Sequence, residues 1–199
     1  MKIAKALSAS AMLALAVVAV PASALTVVYQ AVLTGPSESP ANISPGIGVG
    51  LVTLDDVLNT MRVQVTFAAL TGTVTASHIH CCTAIAGTST AGVATVTPTF
   101  TGFPLGANFG SYDFTYNMTL PASFNAAYIT ANGGTAASAF AALSSGIASG
   151  KAYFNIHSSA FGGGEIRGFL TAVPEPGTYA LMFGGLALIG TRLRKLRQA

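Results

Sequence analysis

The sequence predicts an all-β domain: an antiparallel Greek-key β-sandwich with one or two short helices. Three observations predict it. Apolar and polar residues alternate at period two through eight short segments of the 199-residue chain. Turn-forming clusters such as "TGPSESPANISPG", "TGFPLGANFG" and "AFGGG" separate those segments. Residues 25–173 are long enough to bury one core, and they contain neither an internal repeat nor a coiled-coil heptad.

The expected strands, in order, are residues 25–33, 48–55, 60–67, 73–80, 92–98, 111–120, 151–158 and 165–172. The third is the clearest. In "TMRVQVTF" one face carries Met61, Val63, Val65 and Phe67, and the other carries Arg62, Gln64 and Thr66. That is the pattern of a half-buried antiparallel strand. "TAASAFAALSSG", residues 135–146, is rich in alanine and ends in glycine, which predicts a short helix. A second helical turn is expected near "PASFNAAYIT", residues 121–130.

Charge is sparse and uneven. Between Leu25 and Val173 there are three basic residues (Arg62, Lys151, Arg167) against five acidic ones (Glu38, Asp55, Asp56, Asp113, Glu165), a net charge of −2. The basic residues in surplus stand at the chain ends. Phosphate binding needs a clustered basic face, so nucleic acid is not an expected partner.

The two ends have their own organisation. Lys2 and Lys5 precede an apolar run from Ala11 to Val20, followed by Pro21 and the small-x-small triplet Ala22-Ser23-Ala24. This is the three-part pattern of a secretory signal peptide, residues 1–24, cut after Ala24. At the other end, Pro174-Glu175-Pro176 precedes an uncharged stretch from Gly177 to Thr191 and the basic tail of Arg192, Arg194, Lys195 and Arg197. As a helix that stretch covers roughly 22 Å, short of a ~30 Å hydrocarbon core. Snorkelling arginines or a thinned bilayer make up the difference, so a short transmembrane segment is expected. The basic tail belongs on the cytoplasmic side, which leaves the domain outside the cytoplasm.

The chemistry concentrates in "SHIHCC". On a strand, residues i and i+2 share a face about 6.5–7 Å apart. His78 and His80 therefore face one way and Ile79 the other. In "YFNIH" the same logic puts Tyr153, Asn155 and His157 opposite Phe154 and Ile156. If the two strands are neighbours, His78, His80 and His157 converge, and three imidazoles suit copper or zinc. A hydrogen-bonded histidine cluster at a sheet surface is the alternative. Cys81 and Cys82 leave three readings open: a strained vicinal disulfide, a pair of soft auxiliary ligands favouring Cu(I), or bridges to another chain. Glu165 and Arg167 share a strand face and are expected to pair, or Glu165 to serve as an outer ligand. No G-x-S-x-G elbow and no Ser-His-Asp set is present, so no catalytic residues are expected.

Two resemblances follow from these residues. Pro174-Glu175-Pro176, the apolar span with its Gly-Gly pair and the arginine-rich end resemble the PEP-CTERM sorting signal of Gram-negative bacteria. That resemblance implies the export machinery and an exosortase as partners, a transient inner-membrane stage, and delivery to the cell surface or extracellular matrix. His78-Ile79-His80, Asn155-Ile156-His157 and Gly163-Gly164-Glu165-Ile166-Arg167-Gly168 together resemble the CHRD domain, over about residues 27–171. The Cys-Cys pair departs from many members of that family. The CHRD resemblance implies an all-β module of secreted or surface proteins with no agreed activity. The expectation is a structural or binding role, with exopolysaccharide or surface proteins as further partners. A weaker likeness, in the order H-x-H then H, is to copper/zinc superoxide dismutases. It implies the alternative of a copper-dependent redox enzyme, although that family's bridging histidine, zinc ligands and arginine context are not identifiable in this sequence.

Overall fold

Strands β1 (Thr26–Thr34), β2 (Ile47–Asp55) and β3 (Thr60–Ala68) form an antiparallel meander with unbroken registers, Thr26↔Asp55 to Thr34↔Ile47 and Ile47↔Ala68 to Asp55↔Thr60. The computed structural model describes residues 26–174, 183–186, 189 and 194. The expected signal peptide with Ala22 and Ala24, sorting residues Glu175 and Pro176, and most of the expected membrane segment lie outside the described residues. Among the described residues, no helix is long and apolar enough to cross a membrane.

The remaining strands are β4 (Val74–His80), β5 (Gly110–Asn117), β6 (Tyr153–Ser158), β7 (Ile166–Phe169) and β8 (Thr171–Ala172). Their order is β4-β6-β7-β1-β2-β3-β5, with β8 also on β1. The all-β class holds. The expected pair of stacked sheets, however, is one continuous hydrogen-bonded path that curls on itself. Two features explain the curl. Gly48 and Gly50 face the core from β2, and a Cβ on Gly50 would already touch the Phe154 ring at 3.4 Å. Glycines at such points let a strand bend and a facing ring approach. The segment 99–109 then spans the two edges. Gly106 N donates to Val74 O (2.9 Å), Val74 N donates to Ala107 O (2.8 Å), and Gly110 opens β5.

Phe100 fills the space enclosed by the curl. Its ring lies 5.7 Å from Phe154 of β6 and 5.6 Å from Tyr116 of β5, so strands remote in the path share one core. Leu33, Met61, Val63, Phe67, Ile79 and Ile156 complete its centre. Each such side chain contributes about 2–3 kcal/mol by burial.

Two expected strands differ from the sequence reading. Residues 92–98 run beside β4 but form only isolated bridges, Val93 to His80 of β4 and Thr95 to Phe124. Threonine hydroxyls replace ladder carbonyls there: Ile79 N donates to Thr95 Oγ1 and Ser77 N to Thr99 Oγ1, both at 3.0 Å. Pro98, lacking an N–H, cannot extend a ladder. The expected strand 165–172 is split into β7 and β8, because Leu170 N turns inward to Ala152 O (3.0 Å).

The helices are α1 (Ala126–Ala131) and α2 (Ala136–Ala148). Asn125 caps α1, accepting from Ala127 N at 3.0 Å. Thr135 and Ser138 form a reciprocal capping box at the start of α2, and the helix buries Ala139, Phe140, Leu143 and Ile147. Gly146 does not end this helix. It lies inside it, where a Cβ would collide with both sulfurs of Cys81 and Cys82.

Candidate metal centre

β4 and β6 are direct neighbours, with His78↔Asn155, His80↔Tyr153 and Ala76↔His157 opposed. The register shift between Val74 and Ala76 lets Val74, Ser77 and Ile79 all turn inward. The three histidines then share the face turned away from the core. Ala76 is small, which leaves His157 room to lean diagonally to His78. The ring centroids of that pair are 4.7 Å apart, as are those of His78 and His80.

Each imidazole is oriented by a main-chain carbonyl. His78 Nδ1 meets Pro98 O at 3.2 Å, His80 Nδ1 meets Ala91 O at 2.8 Å, and His157 Nδ1 meets Gly162 O at 2.9 Å. A carbonyl only accepts, so each Nδ1 carries the proton and each neutral ring presents a bare Nε2 lone pair. All three rings offer ligand atoms within 4.8 Å of one another. The Nε2 atoms of His78 and His157 are only 2.9 Å apart, with no proton left to share. Among the described residues, the buried His80 Nε2 has no hydrogen-bond partner.

Protonation is a costly remedy for this crowding. Burial, then the nearby His80 and His157, push His78 down to about 3. Burial lowers His80 to about 4 against the opposing Ala91 carbonyl, and burial lowers His157 against the Gly162 carbonyl. Three converging neutral lone pairs, each with its other nitrogen bonded to a carbonyl, form a donor set suited to copper or zinc.

The other expected site residues fall elsewhere. Cys81 and Cys82 are joined in a vicinal disulfide, so neither sulfur is a thiolate ligand. The pair packs on α2 at Gly146, and Cys82 Sγ lies 3.9 Å from Tyr128 Oη. Glu165 is not brought to the histidines and does not pair with Arg167. Ser44 Oγ (2.5 Å), Gly72 N (3.2 Å) and Thr71 N donate to its carboxylate. Burial alone would raise that carboxyl, but bonds from Ser158, Ser44, Thr71 and Gly72 outweigh it and hold it below the usual range. Pro174 is exposed and outside any strand or helix.

Arg167 instead meets Glu38 (Nε to Oε2, 3.7 Å) and donates to Ser37 O (2.5 Å) and Ser89 O (3.1 Å). Its guanidinium lies 4.7 Å over the Tyr153 ring, which stacks in turn on His80 at 4.6 Å. Arg167, Tyr153 and His80 thus form a supporting stack. Tyr153 was legible as a face-mate of His157 on β6. Glu38 carried no such signal, because it sits in the turn-rich connection after β1.

A curled antiparallel sheet with three converging imidazoles on its outer face makes this an all-β domain with a candidate metal centre. The chain belongs to the CHRD domain family, whose model matches residues 29–170. The PEP-CTERM protein-sorting motif matches residues 172–197, and that motif implies recognition by an exosortase during export. Searches of the curated proteins and of the solved structures give no match.

Proposed function

We propose that this CHRD protein is delivered through the inner membrane to the cell surface or extracellular matrix of a Gram-negative bacterium. There it serves a structural or binding role and holds one copper or zinc ion through Nε2 of His78, His80 and His157. One observation carries the metal reading: all three Nδ1 atoms are engaged by carbonyls, so three lone pairs converge with no proton among them. A cation would relieve the contact between His78 and His157 and give the buried His80 Nε2 a partner. The sorting motif supports the surface destination.

The test is metal content. The full chain is purified without chelator or histidine tag, and copper and zinc are measured in the parent and in His80→Ala. Cu(II) and Zn(II) are then titrated into chelator-treated protein, with EPR following copper. One equivalent of either metal, bound by the parent and lost in the variant, is expected. Equal binding by both proteins, or none by the parent, sinks the reading. Superoxide turnover by the copper-loaded protein would move the role from binding to redox catalysis.

A further inference from the structure

Residues 110–117 read "GSYDFTYN", and the pattern runs nearly the same in both directions about Phe114. Tyrosine, phenylalanine and threonine favour a strand, and β5 pairs with β3 in an unbroken register, Thr60↔Asn117 to Phe67↔Gly110. β5 ends the path of strands. Met118 N donates to Asn59 O at 2.8 Å, so the even-numbered residues of β5 bond to β3. Ser111, Asp113 and Thr115 therefore turn their N–H and C=O groups to the free edge. Among the described residues, none of those groups has a partner. Such edges are commonly blunted by a lysine, a proline, a bulge or shortness. β5 has eight residues and none of these devices, and its one charge, Asp113, accepts from Arg62 Nε of β3 at 2.8 Å.

The side chains along this edge are self-complementary. Tyr112 and Tyr116 are buried, with their hydroxyls 2.8 Å apart and bonded to the main chain of Thr101. Between them Phe114, its ring 4.7 Å from that of Tyr116, is left 40% exposed. Phe109 and Leu120, beyond the two ends of the strand, are exposed as well. An antiparallel second copy centred on Phe114 sets Tyr112 opposite Tyr116 and brings Phe109 beside Leu120. Phe114 then meets its own copy in a non-hydrogen-bonded pair, where side chains lie closest. Asp113 exchanges main-chain hydrogen bonds with Thr115 of the second copy. The neighbouring registers are poorer. Centred on Asp113, the pairing opposes two like charges. Centred on Thr115, it sets Asp113 opposite Asn117, whose carbonyl already accepts from Ser123 Oγ at 2.6 Å.

We propose that β5 pairs antiparallel with β5 of a second copy of this chain, about a twofold axis at Phe114, and so joins two sheets edge to edge. The pairing satisfies the outward groups of Asp113 and Thr115 and covers the Phe114 ring. It does not depend on metal at the histidines. A single strand pair is a small interface, so monomer and dimer exchange and the dimer grows with concentration.

The experiment combines cross-linking with sedimentation on the full chain in detergent. The two native cysteines are joined to each other, so an introduced cysteine is the one free thiol. Cα atoms in a non-hydrogen-bonded pair stand about 4.5 Å apart, within disulfide reach. Phe114→Cys treated with diamide is expected to become mostly covalent dimer. Val57→Cys, exposed in the turn between β2 and β3, is the collision control and is expected to stay monomeric. Sedimentation of the parent is expected to show a dimer that rises with concentration. Phe114→Lys, which charges the edge, is expected to weaken it at least about tenfold. Thr115→Pro, which removes an outward N–H, is the second variant, used if Phe114→Lys fails to fold. Cross-linking at position 114 no greater than at position 57 overturns the proposal. So does a parent that is monomeric at every concentration, which would leave the edge to a different chain. A dimer unmoved by a folded edge variant also overturns it and puts the contact elsewhere.

Discussion

Acidifying the metal-free protein tests the burial of the histidine centre. Burial lowers the folded pKa of His80 to about 4, from the ordinary imidazole value of about 6.5. A depressed imidazole contributes stability that is full above about pH 6.5 and is lost as pH falls toward about 4. In that window the unfolded chain takes up a proton that the folded chain refuses. Between pH 7.5 and 4.5 the loss for this one group integrates to about 2.5 kcal/mol. With a urea slope of about 2 kcal/mol/M, the midpoint moves by about 1.2 M. His78, lowered to about 3, acts in the same direction. Glu38 acts oppositely: burial raises it to about 7 against the pull of Arg167, so its protonation in the same window favours the folded state. The comparison that isolates His80 is therefore parent against His80→Phe. Phenylalanine keeps a ring on Tyr153, and Ala91 O retains the Tyr153 hydroxyl at 3.3 Å. Urea melts followed by circular dichroism, in chelator, at pH 7.5 and 4.5 give the measurement. The acid-induced loss should be smaller in His80→Phe by about 2.5 kcal/mol. An equal loss in both proteins would refute a buried, neutral His80.

Two further outcomes follow from geometry and sorting. Gly168→Ala places a methyl group against the main chain of Val32, where β7 crosses β1. It should cost about 3 kcal/mol and lower the melting temperature by about 10 °C, and an unchanged melt would contradict the close crossing. Replacing Pro174, Glu175 and Pro176 with alanine should leave uncleaved protein in the inner membrane on fractionation, whereas normal surface delivery would rule the motif out as the sorting determinant.

Much of the sheet could be read from the sequence, because alternation reports burial directly. β3 keeps one face on the core, and its sequence alternates accordingly. The histidine cluster was legible for the same reason: an i, i+2 pair on β4 and a third imidazole on β6 need only strand adjacency to meet. What the sequence hid depends on contacts between distant segments. Residues 92–98 alternate like a strand, yet the Thr95 hydroxyl takes the place of a ladder carbonyl opposite Ile79 N. Glu165 and Arg167 looked like partners two residues apart. Each was claimed by a loop, Glu165 by Ser44 and Thr71–Gly72, and Arg167 by Ser37, Glu38 and Ser89. Local spacing cannot report such long-range competition. Curling into one sheet likewise turns on Gly48, Gly50 and Phe100, none of which alters the period-two pattern.

The position of β1 bears on the order of events during export. The first strand to leave a translocation channel is an inner strand of the finished sheet. β2 covers one of its edges early, but the other edge waits for Arg167 opposite Thr34 and for Thr171–Ala172 opposite Tyr29–Gln30. Those residues emerge last, immediately before the sorting motif. The meander β1–β2–β3 is therefore exposed along one seam while some hundred residues thread through behind it. Non-local pairing of this kind is slow, and an open strand edge invites association. The seam closes only when residues adjoining the tail arrive, so completion of the fold and presentation of the sorting signal coincide. Val173 N, donating to Val28 O at 2.8 Å, fastens the end of the domain beside its beginning, so the sorting motif leaves the closed sheet from the corner where the chain enters it.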